Sequence, residues 1–438
     1  MKISVFGLGY VGTISAACLA QMGHEVTGVD VNPAKIRMIG QGQSPVMEAE
    51  IGRIIAEQTK LERFKATDDG ASAFAQTDLS LICVGTPGKE NGAIDLTYVQ
   101  RVFEEIGDYL TSKGSFHWIV LRSTVLPGTT EQALIPILEE RSGKRAGKDF
   151  GVCFNPEFLR EGSSVWDFFN PPKTVIGLLS PEDLPPLLGL YESLPAPVLK
   201  VSIREAELVK YLDNVFHALK ICFANEVGRI CQTLKVDSHV LMNIFIQDTK
   251  LNISPMYLKP GFAFGGSCLP KDTRALLYMA KTLDMELPLL QAILPSNEAQ
   301  LQEGIRLILK TGKKKVGLLG LSFKEGTDDL RESPLVLLAE TLLGKGFDLR
   351  IYDPQVYLGN LCGTNKDFIE RLIPHLGQLL TQDLEELLAR AEVIVIGSKI
   401  PGLQDLWKMV REDQVIIDLV RPSDGERGPS GSYQGISW

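Results

Sequence analysis

The chain has 438 residues, of which 44% are hydrophobic and 23% are charged, and its formal net charge is −9. This composition is typical of a soluble globular protein, and the length exceeds what one hydrophobic core can organise, so about three domains are expected. The negative charge argues against general nucleic-acid binding. No apolar run reaches the ~18 residues of a membrane-spanning helix, and the first residues begin a strand, which together predict a cytoplasmic protein.

Cysteine and histidine usage limits the possible redox and metal chemistry. The seven cysteines include no CxxC pair, and several lie inside apolar runs, a pattern typical of reduced thiols and not of a disulfide framework. The five histidines are scattered along the chain. We therefore expect no metal site.

The N-terminal segment has the pattern of a dinucleotide-binding turn. A predicted buried strand at residues 2–6 runs directly into glycines spaced as GxGxxG, namely Gly7, Gly9 and Gly12. A helix-like run follows, and a second strand ends in Asp30. Such glycines let the backbone approach a pyrophosphate, and the acid accepts hydrogen bonds from ribose hydroxyls. Because a carboxylate repels a 2′-phosphate, Asp30 favours NAD over NADP. Lys35 is expected to lie beside Asp30.

Further apolar runs alternate with helical patterns and predict a parallel sheet. They span residues 79–84, 118–121 and 151–154. Ligands bind beyond the carboxyl ends of such strands, so we expect Thr86, Thr124 and Glu157 to face cofactor and substrate. Taken singly, each of these residues is equally consistent with ordinary turn chemistry.

A helical pattern of about 30 residues begins near residue 204, which corresponds to roughly 45 Å. Such a helix could span two domains or pair with a copy of itself. Four polar residues fall on a narrow arc of an otherwise apolar helix: Lys210, Asn214, His217 and Asn225. This stripe predicts the wall of a buried polar pocket, with a solvated face as the alternative. Lys210 could stabilise developing oxyanion charge there.

Residues 261–272 bring a thiol, a cation and a carboxylate together within five positions: Cys268, Lys271 and Asp272. The preceding Gly265 and Gly266 are expected to leave room for a close-fitting ligand. A buried structural cysteine is the alternative interpretation. With NAD, a nucleophilic cysteine can capture an aldehyde as a thiohemiacetal, pass through a thioester and release an acid.

The C-terminal part predicts a second α/β unit. Its expected strands are residues 316–320, 349–353, 393–396 and 415–418. Lys324 and Arg331 follow the first of them and could bind an anion, although a salt-bridged surface loop fits equally well. The Gly- and Ser-rich tail from Ser423 is expected to have little regular structure.

Four motifs resemble the nucleotide-sugar 6-dehydrogenase family, which includes UDP-glucose and GDP-mannose dehydrogenases. They are Arg122-Ser-Thr-Val-Leu-Pro-Gly128, Asn155-Pro-Glu-Phe-Leu-Arg-Glu161, residues 261–272, and Ser322-Phe-Lys-Glu-Gly-Thr-Asp-Asp-Leu-Arg-Glu-Ser-Pro334. The resemblance implies an α/β fold with two Rossmann-like parallel-sheet domains joined by a long central helix and a small helical domain. We expect an NAD-binding domain at 1–200, a central helical and dimerisation domain with the Cys loop at 201–310, and a sugar-nucleotide-binding domain at 311–438.

The resemblance also implies a four-electron oxidation that uses two NAD. Cys268 would carry the covalent intermediate, Lys210 and Asn214 would stabilise the oxyanion, and Asp272 with Glu157 would assist proton transfer and hydrolysis. The residues implied around NAD are Tyr10, Val11, Asp30, Lys35, Thr86, Thr124, Lys271 and Arg331, the last reaching across from the partner chain. The residues implied around the sugar nucleotide are Glu161, Lys210, Asn214, His217, Asn225, Tyr257, Lys259, Gly265 and Lys324.

Two features favour the branch of the family that converts GDP-mannose to GDP-mannuronate for alginate-type polysaccharides. They are Lys210-Tyr-x-x-Asn214-x-x-His217 and Lys250-Leu-Asn252. The resemblance to this branch implies a homodimer, domain-swapped through the long helix. Three residues, Thr249, Met256 and Lys259, depart from its pattern. Lys259 keeps the charge of the expected Arg but lacks its bidentate fork, so diphosphate binding could be weaker or rearranged.

Three other functions are alternatives for this sequence. The same chemistry on UDP-glucose or a UDP-amino-sugar would differ only in the pocket. A two-electron hydroxyacid dehydrogenase would have no use for Cys268. A non-catalytic NAD-sensing module would be expected to lack the set Lys210, Cys268 and Asp272, which is intact here.

Overall fold

In the computed structural model the chain forms two compact units, Met1–Ala218 and Leu219–Trp438. The structure describes residues 1–48, 50–180, 183, 186–266, 268–322, 330, 332–354, 356, 379–399, 407–422 and 432–437. The boundary between the units falls inside the longest of the described helices, Ile203–Leu234. The predicted long central helix is confirmed, whereas the three-domain division at residues 200 and 310 stays a prediction.

The helices of the described residues are α1 (Tyr10–Gln21), α2 (Pro33–Gly40), α3 (Ile51–Lys60), α4 (Gly70–Ala75), α5 (Thr97–Ser112), α6 (Ile135–Ser142), α7 (Ser164–Phe169), α8 (Leu187–Tyr191), α9 (Ile203–Leu234), α10 (Ser238–Phe245), α11 (Leu269–Thr282), α12 (Pro288–Lys310), α13 (Pro334–Gly344) and α14 (Leu384–Arg390). A π-helical turn, Thr130–Leu134, leads directly into α6. No helix in the described residues is both long and apolar enough to cross a membrane.

The strands of the described residues are β1 (Lys2–Phe6), β2 (Glu25–Val29), β3 (Phe64–Thr67), β4 (Leu79–Ile82), β5 (Trp118–Leu121), β6 (Gly151–Phe154), β7 (Thr174–Leu178), β8 (Val198–Ser202), β9 (Lys315–Leu319), β10 (Asp348–Tyr352), β11 (Val393–Ile396), β12 (Val415–Asp418) and β13 (Tyr433–Gly435).

The first unit contains an eight-stranded sheet with the order β3-β2-β1-β4-β5-β6-β7-β8. Its neighbours pair in parallel, as predicted, except that β7 runs antiparallel to β6. The order reverses between β1 and β4, and this is the point at which parallel α/β sheets bind ligands. The segments that follow β1, β4, β5 and β6 therefore share one edge of the sheet.

Strand residues of this sheet alternate between two hydrophobic cores. Ile3 and Val5 point into the core that includes α1 and α3, whereas Phe6 belongs to the core that includes α5 and α6. In β5 the alternation is the same, since Val120 lies on the α1 side while Ile119 and Leu121 lie on the other. Helices on both faces explain the continuous apolar runs that marked these strands in the sequence.

The second unit contains a five-stranded parallel sheet with the order β10-β9-β11-β12-β13. Its strands β9 to β12 match the predicted second α/β unit within one residue at each end. The expectation of little regular structure after Ser423 is wrong for β13, which pairs with β12. A strand of three residues is too short to give a recognisable pattern in a Gly-rich tail.

Candidate active site

The turn after β1 has the shape that a pyrophosphate needs. Gly7 has φ +94°, a backbone conformation that favours glycine, and a Cβ on Gly12 would lie 1.8 Å from the carbonyl oxygen of Gly7. A Cβ on Gly9 would meet no protein atom within 4 Å, so the space above it is open. The N-terminus of α1 at Gly9 has no side-chain cap, which leaves its first N–H groups available to an anion.

Asp30 is held in place at the end of β2. One carboxylate oxygen accepts from Leu8 N at 2.7 Å and from Lys35 Nζ at 3.0 Å. The other oxygen accepts from Asn32 N at 2.8 Å. These bonds fix the carboxylate beside the glycine turn, where a ribose would lie. The open space above Gly9 and the oriented Asp30 together fit NAD.

The other predicted cofactor residues of this unit line the same edge of the sheet. Thr86, after β4, donates from Oγ1 to the carbonyl oxygen of Thr124, after β5, at 2.8 Å. Tyr10 and Val11 begin α1, and both are half-buried. The Tyr10 hydroxyl bonds to Glu48 and, at 2.9 Å, to Ser164. Burial and the Glu48 carboxylate raise the pKa of Tyr10, so this hydroxyl stays protonated.

Glu157 and Lys210 form an ion pair of 2.9 Å between the end of β6 and helix α9. Their side chains are only 11% and 10% exposed, which removes most of the water that would weaken the pair. The second oxygen of Glu157 accepts from Leu159 N at 2.7 Å. Two predicted catalytic groups, 53 positions apart in the sequence, are thus in direct contact.

A second cation lies next to this pair. The Phe158 ring has Lys210 Nζ at 5.7 Å from its centroid and Lys173 Nζ at 4.8 Å. Lys173 is neutralised by Asp213 of α9 at 2.8 Å. The aromatic face therefore supports the Lys210 ammonium while the charge of Lys173 is balanced separately.

The remaining polar residues of the α9 stripe are exposed in the single chain, namely Asn214, His217 and Asn225, as is Glu161 after β6. The stripe was predicted to line a buried pocket, and one chain alone does not bury it beyond Lys210. The helical wheel could not supply this result, because it gives the faces of α9 and not what covers them. The predicted roles of these residues in substrate binding stay predictions.

The thiol loop in the second unit places Cys268 at the N-cap of α11, where Asp272 N donates to its carbonyl oxygen at 2.8 Å. Cys268 is exposed, and the described cysteines form no disulfide. Lys271 Nζ pairs with Asp272 Oδ1 at 2.5 Å. This hydrogen bond and charge, together with the nearby Cys268, raise the pKa of Lys271. The thiol thus sits at a helix N-terminus beside a lysine, an environment that favours a reactive cysteine.

The glycine pair of this loop meets packing and backbone requirements that were not predicted. A Cβ on Gly265 would lie 2.2 Å from the carbonyl oxygen of Glu332, so the space on that side is filled by the chain's own backbone. The predicted place of Gly265 at the substrate stays a prediction. Gly266 has φ +91°. The Glu332 carboxylate in turn binds Arg274 of α11 at 2.9 and 2.6 Å. Gly265 therefore sets how closely the thiol loop packs on residues 332–334.

Other predicted substrate residues of the second unit are exposed or lie outside the description. Tyr257 is 82% exposed and has φ 62°, a strained conformation for a bulky residue and one that often marks a ligand site. Lys259 is also exposed. Lys324 and Arg331 lie outside the described residues, so their predicted roles stay predictions.

Comparison with known protein families matches three models along most of the chain. Residues 1–195, 204–299 and 317–423 match the NAD binding, central and UDP binding domains of the UDP-glucose/GDP-mannose dehydrogenase family. The chain belongs to this family. It is an NAD-dependent dehydrogenase with a nucleotide-sugar substrate, as the sequence predicted.

Individual relatives differ in how well they match. The chain is 48% identical to a GDP-mannose 6-dehydrogenase of Pseudomonas savastanoi pv. phaseolicola over 100% of both chains. It is 47% identical to GDP-mannose dehydrogenase from Pseudomonas aeruginosa, as seen in the crystal structure of a ternary complex. The TM-score to that structure is 0.96 over 100% of both chains. A UDP-glucose dehydrogenase from Pyrobaculum islandicum is 34% identical, with a TM-score of 0.55 over 100% of this chain and 97% of that one.

Within the family fold, no role was predicted for the buried arginine that begins the Arg122–Gly128 motif. Arg122, 6% exposed, donates to Asn155 Oδ1 at 2.5 Å and to the Tyr191 hydroxyl at 3.1 Å. Asn155 also donates to the carbonyl oxygen of Val175 at 2.8 Å. These bonds fix the backbone two residues before Glu157. A charged residue directly after the apolar strand β5 was the available signal.

Proposed function

We propose that the chain oxidises GDP-mannose at C6 to GDP-mannuronate. The observation that carries the substrate assignment is the full-length match to GDP-mannose dehydrogenases, with 48% identity to one and a TM-score of 0.96 to another. The match to a UDP-glucose dehydrogenase is weaker on both measures, at 34% and 0.55. The alternative, the same chemistry on UDP-glucose or a UDP-amino-sugar, would use the same reacting groups.

The buried Glu157–Lys210 pair supports the first half of the reaction. NAD supplies the acceptor for the two hydride equivalents that leave C6. The C6 hydroxyl must lose its proton as the aldehyde forms, and Glu157 has a carboxylate to assist that transfer. The ammonium of the buried Lys210 stabilises the negative charge that develops on the oxygen. Asn214, one helical turn beyond Lys210, adds a neutral donor to the same oxygen.

Cys268 carries the second half. Addition of its sulfur to the aldehyde carbon forms a thiohemiacetal, with the proton going to the carbonyl oxygen. Loss of that proton and of a hydride leaves a thioester. Water then attacks the thioester carbon, the thiol leaves, and the carboxylate is released. Asp272, in the first turn of the helix that Cys268 caps, is the base we assign to the attacking water.

We also propose that the chain works as a homodimer formed through α9, with domain-swapped chains. Five large apolar side chains of α9 and α10 are more than half exposed in the single chain: Leu212, Val215, Ile221, Val240 and Ile244. Exposed apolar surface on this scale is a feature of association sites. A partner chain on α9 would also cover the polar stripe that one chain leaves exposed. A cytoplasmic location and a role in alginate-type polysaccharide synthesis stay predictions.

The substrate assignment is tested by NADH production from GDP-mannose and from UDP-glucose under identical conditions. We expect kcat/KM to favour GDP-mannose by about 100-fold, since hydrogen-bonded sites discriminate strongly between ligands. The acid product is measured beside NADH. Cys268→Ala should form no acid from either sugar nucleotide, so acid from this variant would reveal a contaminating dehydrogenase. A clear preference for UDP-glucose would overturn the assignment and leave the covalent chemistry to be judged separately.

A further inference from the structure

Glu207 is a buried carboxylate to which the chemistry above gives no role. It is 0% exposed and lies on α9, three residues before Lys210. A charged side chain is rarely buried completely unless its oxygens are bonded, because burial removes the water that stabilises it. In the described part of the chain no salt bridge involves Glu207. Its partners therefore indicate what its burial achieves.

Among the described residues, all the donors to Glu207 come from one short segment that follows β5. Gly128 N donates to Oε2 at 2.5 Å. Thr130 donates to Oε1 twice, from its backbone N at 2.9 Å and from its hydroxyl at 2.6 Å. Burial raises the pKa of Glu207, and these three donors oppose that effect by stabilising the carboxylate. The carboxylate thus fastens α9 to residues 128–130.

The segment that Glu207 fastens is continuous with a cofactor-facing loop. Four residues before Gly128, the carbonyl oxygen of Thr124 accepts the Thr86 hydroxyl at 2.8 Å. This bond joins the ends of β4 and β5 beside the switch point of the sheet. A shift of residues 128–130 would therefore be transmitted to Thr124 and Thr86 through a few backbone bonds.

The other end of the connection is Lys210. Residues three apart on a helix lie on the same face, and α9 is continuous through both positions. Lys210 is in turn paired with Glu157 at 2.9 Å. Glu207 therefore links two groups that must act on the same carbon, the loop toward the cofactor and the lysine toward the substrate.

We propose that Glu207 is a positioning residue that fixes the position of the Thr124–Thr130 loop relative to Lys210. This inference rests on the proposed roles of Lys210 and of the Thr124 loop. It does not depend on which sugar nucleotide is oxidised. Hydride transfer needs the two reacting groups within a fraction of an ångström of their best separation. A change in the relative position of the loop and Lys210 should therefore lower both cofactor affinity and turnover.

The test is Glu207→Gln, which keeps the size of the side chain but turns one acceptor into an amide N–H facing Gly128 N. We expect the Kd for NADH, measured by fluorescence without substrate, to rise about tenfold and kcat to fall by about tenfold or more. The matched control is Glu205→Gln on the same helix. Glu205 is exposed and accepts from Ser202, so both quantities should stay within about twofold of the unaltered protein.

Thr130→Val is a second variant in case Glu207→Gln does not fold. It removes only the hydroxyl donor. We expect the Kd for NADH to rise about threefold and kcat to fall about threefold. A merely structural cap predicts a different result. In that case Glu207→Gln would lower the melting temperature while NADH affinity and kcat stayed within about twofold, and this outcome would overturn the proposal. If UDP-glucose were the preferred substrate, the same measurements would be made with it, so the two proposals can fail separately.

Discussion

At the scale of single residues, two glycines of the NAD turn have different structural requirements. Gly12 has no room for a Cβ, which would lie 1.8 Å from the carbonyl oxygen of Gly7. Gly9 has room within the protein, and its φ of −72° is accessible to any residue. Gly12 therefore serves the fold, whereas Gly9 is predicted to leave space for the cofactor.

This difference gives a paired prediction. Gly9→Ala should keep the melting temperature within a few degrees yet weaken NADH binding by about tenfold or more, because its methyl group occupies the pyrophosphate space. Gly12→Ala should lower the melting temperature as well as NADH affinity. Thermal unfolding and NADH fluorescence on both variants make the comparison. Normal NADH affinity in Gly9→Ala would contradict the placement of the pyrophosphate.

His117 should make stability depend on pH. It is 0% exposed, its Nε2 bonds to Ser80 Oγ at 2.8 Å, and burial lowers the pKa of His117 to about 3 from its usual 6.5. Between these values the unfolded chain binds a proton that the folded chain does not, so stability falls as pH drops below 6.5. The contribution is at most about 1.4 kcal/mol per pH unit.

The measurement for His117 is urea unfolding at several pH values from neutral down to about 5, in the upper part of that window. His117→Gln should show a shallower decline than the unaltered protein, whatever its stability at neutral pH. Parallel declines in the two proteins would contradict a neutral His117 in the folded state.

At the scale of elements, the position of the thiol loop depends on how Gly265 packs. Gly265→Ala would push the loop away from the carbonyl oxygen of Glu332 and shift the start of α11, where Cys268 lies. A displacement of the thiol by about 1 Å should lower kcat by about 100-fold. Gly261→Ala is the matched control, since its Cβ would meet its nearest atom at 3.8 Å, an ordinary contact. Equal kcat values in the two variants would contradict this role of Gly265.

The sequence predicted much of the architecture because buried parallel strands have continuous apolar runs. β1, β5 and β6 have the predicted bounds, and the pattern of α9 was recognisable over its whole length. The reversed direction of β7 was not predictable, since an apolar run does not encode strand direction. The three-residue strand β13 was too short to leave a pattern.

Prediction of the site was limited by information that sequence spacing does not contain. The family resemblance assigned Glu157 and Lys210 to one reaction, but neither the resemblance nor their spacing predicted the contact between them. The contact of Gly265 with Glu332 was not predicted, because the partner of a close backbone approach cannot be read from a glycine. Glu207 was missed because a single acid on a helix resembles a solvated one until its burial is known.

At the scale of the whole molecule, the exposed apolar surface of α9 should be covered by a second copy of the chain. Val215 and Ile221 are 63% and 61% exposed. The double variant Val215→Glu and Ile221→Glu should shift the mass in sedimentation from dimer to monomer, because charge on an apolar interface opposes association. Leu61→Glu, at a residue 57% exposed after α3, is the control and should stay dimeric. A monomeric unaltered protein would contradict the dimer.

The central claim is a double oxidation that passes through Cys268. The most direct test counts NADH formed per GDP-mannose consumed, with the product identified by mass. We predict two NADH and one GDP-mannuronate per GDP-mannose, and no acid from Cys268→Ala. One NADH per sugar with an aldehyde as the final product, or acid formed by Cys268→Ala at a near-normal rate, would contradict the account.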